Sequence, residues 1–310
     1  MRILLTGASS FTGYWFAREL ASAQHEVVAP LPRSADAYSG IRADRVRLLS
    51  DCAKIVWSAA FGEARFLDLL VDQKFDVLCH HAANVRNYRS RDFDIPAALI
   101  ENTCALPQVL RSLKESGLRG VVLTGSFFEP DEGAGTMPLA AFSPYGVSKA
   151  LTATVVRYWC SEFQLPLGKF VIPNPFGPWE EARLCSYLVS TWRKSEIAEI
   201  RVPDYVRDNI HVDLLAKAYV RFTESVPHGP AFAKLNPSGY VETIGCFAHR
   251  VAAELAPRLG LKAKVRLSAQ HDFSEPMVRI NTDAVLGLGW SETAAWDGFA
   301  SFYRAGLHEA

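Results

Sequence analysis

The stretch Thr6-Gly7-Ala8-Ser9-Ser10-Phe11-Thr12-Gly13 comes directly after the short apolar run Ile3-Leu4-Leu5. A buried strand, a glycine turn and a helix start, in that order, constrain the fold more than any other feature of the chain. Gly7 lets the chain turn sharply after the strand, and Gly13, lacking a Cβ, lets the helix pack close to the sheet or to a ligand. The helix N-terminus then offers free N–H groups and a partial positive charge to a pyrophosphate. Gly7, Ser9, Ser10, Phe11, Thr12 and Gly13 are therefore the expected cradle of a dinucleotide, with Ser10 where a middle glycine would stand. Taken alone, the pattern also fits an ordinary glycine turn.

Strand and helix patterns go on alternating beyond this unit. Strands are expected at residues 3–5, 27–29, 46–49, 77–79, 121–123 and 170–172, and helices at 11–23, 61–73, 97–116 and 145–163. Near-continuous apolar strands separated by helices predict a parallel sheet covered on both faces, a doubly wound α/β (Rossmann) fold. With 310 residues, 49% of them hydrophobic, the chain can bury such a core and a second lobe. The alternation fades near Pro173, Pro175 and Pro178. Residues 1–173 read as the dinucleotide-binding domain, with 214–240 returning to it. Residues 174–213 and 241–310 read as a smaller mixed α/β substrate lobe.

Formal net charge is zero, which gives no electrostatic reason for nucleic-acid binding. No run approaches the roughly 18 apolar residues of a membrane span, and a cytoplasmic protein is expected. The six cysteines are scattered without a Cys-x-x-Cys pair, so free thiols are expected. His80-His81 lacks the spaced partners of a zinc site, and no metal is expected.

Tyr145-Gly146-Val147-Ser148-Lys149 places a phenol and an ammonium four residues apart, on one face of a helix. A free tyrosine titrates near pH 10, so trading protons near pH 7 requires its anion to be favoured by about 3 units, roughly 4 kcal/mol. Lys149 and a cationic nicotinamide could supply that in a low-dielectric cleft. Upstream, Thr124-Gly125-Ser126 follows the fifth expected strand and offers a hydroxyl to a reacting oxygen. The pair Tyr-x-x-x-Lys is common by itself; its order after the glycine turn and the hydroxyl group gives it meaning.

With these motifs the sequence resembles the extended short-chain dehydrogenase/reductase family, in particular its nucleotide-sugar epimerases and reductases. The resemblance extends to His81-Ala82-Ala83, Asn102, Pro173-Asn174-Pro175-Phe176-Gly177-Pro178, Arg207-Asp208-Asn209-Ile210-His211-Val212-Asp213 and Leu288-Gly289-Trp290. It implies that Tyr145 is the acid/base, that Lys149 holds the nicotinamide ribose and lowers the phenol's pKa, and that Ser126, or Thr124 in its stead, is the hydroxyl partner. It also implies cofactor contacts at Ala82 and Ala83, and at Asn102 an asparagine that is either structural or part of the cofactor site. Asn174 is implied at the sugar-nucleotide entry, and Arg207 on the substrate diphosphate. His211 reads as a structural histidine.

Three departures from the family pattern shape the functional expectation. NAD-using members carry an acid at the end of the second strand, which accepts hydrogen bonds from the adenosine ribose; here Leu31 stands there and Arg33 comes two residues later. A guanidinium in place of a carboxylate suits a 2′-phosphate, so NADP is expected in preference to NAD. Asp51 and Cys52, read as lying just after the third strand, are expected near the adenine. Gly125-Ser126 replace the Asp-Glu pair of dehydratases, and Glu129 comes too late to stand in, so 4,6-dehydration is not expected. Phe127-Phe128-Glu129-Pro130 departs from the family's usual loop and leaves the sugar open. The expected activity is reduction of a keto-sugar at C4, with 4-epimerisation as the alternative and a non-catalytic dinucleotide-binding protein as a third. A homodimer through the helices at 97–116 and 145–163 is expected, although Leu106, Leu110, Leu113, Val155, Val156 and Trp159 serve equally as core.

Overall fold

The computed structural model describes residues 1–71, 73–285 and 287–306. Seven parallel strands form the main sheet: β1 (Arg2–Thr6), β2 (Glu26–Pro30), β3 (Lys54–Val56), β4 (Val77–His80), β5 (Gly120–Ser126), β6 (Leu167–Ile172) and β7 (Phe232–Leu235). Their order across the sheet is β7-β6-β5-β4-β1-β2-β3. The order reverses beside β1, so a crevice opens at the carboxyl ends of β1 and β4. Central strands are apolar on both faces: Ile3 and Leu5 face one core cluster, and Leu4 the other. That two-sided burial is what near-continuous apolar runs require.

Helices cover both faces: α1 (Phe11–Ser22), α2 (Gly40–Leu49) and α8 (Val212–Ser225) on one, and α3 (Ala64–Val71), α5 (Leu106–Glu115) and α6 (Pro144–Glu162) on the other. The remaining helices are α4 (Ile95–Asn102), α7 (Leu184–Arg193), α9 (Ile244–Leu259) and α10 (Glu292–Arg304). α7, α9 and α10 pack around Trp192, Phe247, Trp296 and Phe299 in a third core cluster. Two strands beyond the main sheet frame the site: Asn174–Phe176 pairs in parallel with Val206–His211. α8 packs on α1, and β7 completes the main sheet beside β6.

Two expectations are overturned. Residues 46–49 are not a strand but the last turn of α2, because Val46 and Leu49, three apart, bury one face of a helix together with Arg45. The third strand is instead Lys54–Val56. The helix expected at 97–116 is two helices, broken where Ala105 takes a left-handed φ of 46° and Pro107 opens α5. Within the helix expected at 61–73, residue 72 lies outside the described residues, as do the last four residues of the expected substrate lobe. Leu106, Leu110, Leu113 and Val156 are core, with Val155 and Trp159 packed against the same cluster. Among the described residues no helix is long and apolar enough to cross a membrane, and no cluster of metal-ligating side chains occurs.

Candidate active site

The glycine turn closes tightly. Gly7 has a φ of +74°, and a Cβ there would sit 2.8 Å from the Ala82 amide nitrogen. A Cβ on Gly13 would sit 2.2 Å from the Gly7 carbonyl oxygen. The two glycines therefore let the turn, the start of α1 and the segment after β4 share one small space. Ser10 caps α1: its hydroxyl accepts from the Gly13 N–H at 3.1 Å and donates to the Gly7 carbonyl at 2.9 Å. The N–H groups of Phe11 and Thr12, the first two of α1, have no intrahelical acceptor. They are the donors that would hold a pyrophosphate.

Sequence reading missed what lies beneath. His81 Nε2 is within hydrogen-bond distance of Ser10 (3.0 Å) and Thr12 (3.1 Å), and its Nδ1 of Thr124 (2.9 Å). Ser10 and Thr12 thus tie the turn to β5 through a histidine, and burial pushes that imidazole down to about 3, so it stays neutral. Thr124 is consequently drawn into the core and is not the spare hydroxyl it was expected to be. Asn102 is also spent on structure: its Oδ1 accepts from the Asn84 N–H and its Nδ2 donates to Thr152. It clamps the loop after β4 onto α6. Ala82 and Ala83 lie half-buried against the turn.

At the other end of the cradle, Leu31 is fully buried, and Arg33 is exposed at the end of β2. Arg42, unnoticed in the sequence, reaches from α2 to the Ser9 hydroxyl, with Nη2 at 2.8 Å and Nε at 3.2 Å. Beside it the fully buried Arg45 donates to the carbonyls of Ser9 and Trp179 and pairs with Glu181 at 2.5 Å. Arg42 lines a cavity of about 460 Å³ with Ser39, Gly40, Glu180 and Phe302. The spacing Arg42-x-x-Arg45 on one helix face was the signal available, hidden because residues 46–49 read as a strand. Asp51 and Cys52 are displaced by the same correction. They lead from α2 into β3 at the amino end of that strand, whereas the glycine turn follows the carboxyl end of β1. The Cys52 thiol points to the Leu48 and Leu49 carbonyls, and burial pushes it up to about 11.

The start of α6, with Tyr145 and Lys149, packs on the carboxyl end of β5 and the loop after it. A Cβ on Gly146 would lie 2.1 Å from the Phe128 carbonyl, so the first turn of α6 rests directly on the loop after Ser126. Tyr145 is covered by the rings of Tyr88 and Phe93, at centroid distances of 5.6 and 5.8 Å. Lys149 is buried, and its Nζ donates to the Thr124 carbonyl at 2.5 Å. Burial lowers its pKa to about 8, with Glu129 opposing and Lys169 adding to the fall. The expected lowering of Tyr145 by Lys149 is not found. Burial pushes the phenol up, Glu129 and Tyr88 push it further, and Arg183 opposes. By itself the chain holds Tyr145 as a neutral acid, chiefly because burial disfavours its anion.

Asn174 pairs across to Asn209 at the edge of the second sheet. Arg207 is nearly buried: Nη1 donates to the carbonyls of Val206, Pro276 and Met277, and Nη2 pairs with Glu275 at 2.8 Å. A diphosphate would reach this guanidinium only by displacing the half-exposed Glu275. His211 caps α8, accepting from the Asp213 N–H, and Trp290 of the Leu288-Gly289-Trp290 segment lies near its ring.

His80 and His211 are almost fully buried, with pKa values pushed down from 6.5 to about 4 and about 3 by desolvation. A depressed folded pKa contributes stability that is complete above pH 6.5 and is lost as pH falls toward the folded value. Each should cost about 2 kcal/mol by pH 5. A melting temperature that stays level between pH 7 and pH 5 would contradict this.

The NAD dependent epimerase/dehydratase family model matches residues 3–236. The chain belongs to that family, as an enzyme of the extended short-chain dehydrogenase/reductase type. No curated protein matches the sequence. Among solved structures the chain is similar to a UDP-glucose-4-epimerase from Stenotrophomonas maltophila with bound NAD and formylated UDP-arabinopyranose (TM-score 0.77, 19% identity, 100% of each chain). It is similar to a UDP-glucuronic acid 4-epimerase from Bacillus cereus in complex with UDP-glucuronic acid and NAD (TM-score 0.71, 17% identity, 98% of this chain and 99% of the other). It is also similar to a dTDP-glucose 4,6-dehydratase from Streptomyces venezuelae with NAD bound (TM-score 0.71, 18% identity, 98% of this chain and 97% of the other). At such identities the likeness speaks to the fold.

Proposed function

We propose that the protein is a nucleotide-sugar 4-epimerase dependent on a nicotinamide dinucleotide. One placement supports the reading: Lys149 donates to the Thr124 carbonyl of β5 and Gly146, next to Tyr145, rests on the loop after Ser126, while the glycine turn leaves room only for backbone. A nicotinamide bound there would supply reversible hydride transfer, off one face of the sugar carbon and back to the other. Tyr145 moves the hydroxyl proton, the Ser126 hydroxyl steadies the oxygen, and Lys149 sets the local charge. Asn174 and Arg207 are proposed at the nucleotide side, Arg207 after release from Glu275, so that binding positions the sugar. The family match favours epimerisation over the C4 reduction expected from sequence. Dehydration lacks its acid and base, because Glu129 is buried in an ion pair. Incubating purified protein with UDP-glucose, and separately with UDP-galactose and UDP-glucuronate, without added cofactor tests the reading. Inversion at C4 supports it; no inversion with any of them, cofactor bound, refutes it.

A second reading, C4 reduction of a keto-sugar, is favoured by the basic face of the adenosine end. Leu31 is in the core, Arg33 is exposed just after β2, and Arg42 reaches Ser9. These residues suit a 2′-phosphate and not a ribose diol, and on that basis NADP is proposed over NAD. A guanidinium–phosphate pair of this kind is worth roughly tenfold in affinity. NADPH should bind about that much tighter than NADH by calorimetry, and R42A or R33A should erase the difference. Tighter NADH binding, unchanged in both variants, refutes the preference.

A further inference from the structure

Next to the catalytic candidates lies a charged cluster that the chemistry above does not use. Glu129 is fully buried, and its Oε1 accepts the Ser126 N–H at 2.7 Å. Its Oε2 is 2.6 Å from Lys169 Nζ of β6. Lys169 also reaches Glu132 at 2.7 Å, and Glu132 pairs with Lys234 at 3.0 Å. Gly125 makes the space: a Cβ there would meet Lys169 Cε at 2.8 Å and Glu129 Oε1 at 3.0 Å. Arg279 pins the loop by donating to the carbonyls of Phe127 and Glu129, both at 3.0 Å.

A buried ion pair is a poor device for stability, since well-packed apolar side chains at the same place do as well. What this pair supplies and apolar packing cannot is an oriented acceptor on the Ser126 amide and a fixed charge beside α6. We propose that Glu129, held by Lys169, is the positioning residue that sets the Ser126 hydroxyl against Tyr145. The proposal rests on the catalytic reading of Tyr145 and Ser126. The pair also biases the charge there. Tyr145 faces Glu129 from the loop after β5, Tyr88 from the segment after β4 and Arg183 at the start of α7. Lys149 faces Glu129 and Lys169, and it acts in turn on His80 and His81. The Glu129 charge disfavours the Tyr145 anion and favours the Lys149 cation.

Three variants test it. E129A removes both acceptor and charge, E129Q keeps an oxygen for the Ser126 amide, and the E129Q/K169M double variant restores the net charge. In E129A, kcat should fall about 10- to 100-fold with KM within about threefold. In E129Q the plateau should largely survive, while the acidic limb of log kcat against pH moves about one unit lower. The double variant should bring that limb back to within about a third of a unit, a compensation that independent structural damage would not produce. An unmoved limb in E129Q, or a double variant worse than E129Q alone, overturns the proposal. E129Q is close to isosteric, so the test survives if E129A does not fold. Ultraviolet titration of the phenolate, differenced against Y145F, needs no substrate: ionisation of Tyr145 at lower pH in E129Q without turnover would leave this pair standing and the proposed activity refuted. Turnover with an unmoved limb would do the reverse.

Discussion

Replacing Tyr145 by phenylalanine is expected to lower kcat about 10²- to 10⁴-fold while leaving dinucleotide affinity within about threefold. The ring would keep its contacts with Tyr88 and Phe93, so the fold of α6 should not change. Only the oxygen assigned the proton transfer is removed, and several polar groups near it are already engaged. Lys149 is committed to the Thr124 carbonyl, Thr124 to His81, and Glu129 to Lys169 and the Ser126 amide. The size of the loss follows from those commitments. Single-turnover and steady-state rates, with cofactor affinity measured by fluorescence, give the answer. A Y145F enzyme with full turnover and intact cofactor binding would remove the phenol from the mechanism, and with it the reading of Ser126 as its partner.

Gly13→Ala should weaken dinucleotide binding by about 100-fold or more and cost about 1–3 kcal/mol of stability. In an unobstructed helix the same change would stabilise by as much as about 1 kcal/mol, since alanine is the better helix former. Here the sign is reversed by position. The added carbon would lie 2.2 Å from the Gly7 carbonyl and 2.7 Å from the Ser10 hydroxyl, neither of which can yield without opening the turn. Gly298 in α10 is the internal control, because nothing lies within 4 Å of the Cβ it would acquire. Gly298→Ala should leave binding unchanged and raise the melting temperature slightly. If both variants behave alike, the tight closure of the turn is not what holds the cofactor.

Local chemistry made much of the framework legible. The glycine turn declared itself because Gly7 and Gly13 are demanded by backbone geometry within eight residues. Apolar runs buried on both faces marked five of the strands, and Tyr145 and Lys149 share a helix face by simple periodicity. Where the reading failed, short segments satisfied two patterns at once. Val46 and Leu49 fit a strand or a helix turn, and α2 was lost as a consequence. Arg42 was hidden with it, and Asp51 and Cys52 fall at the amino end of the third strand and not at its carboxyl end. Pro107 was a local signal for the break between α4 and α5, and it was passed over.

Sequence alone determined the strand–turn–helix unit and the placing of phenol and ammonium on one helix face, because each depends on residues within a few positions of one another, and the order of such local motifs along the chain gave the family. Tertiary structure alone decided which polar groups remain free to act. Thr124 and Asn102 are consumed by partners distant in sequence, Arg207 is held by Glu275, and Glu129 is drawn beneath Ser126 by a lysine forty residues away. A side chain's reactivity depends on what it is already bound to and how much water it has lost, and both are set only when remote segments pack together.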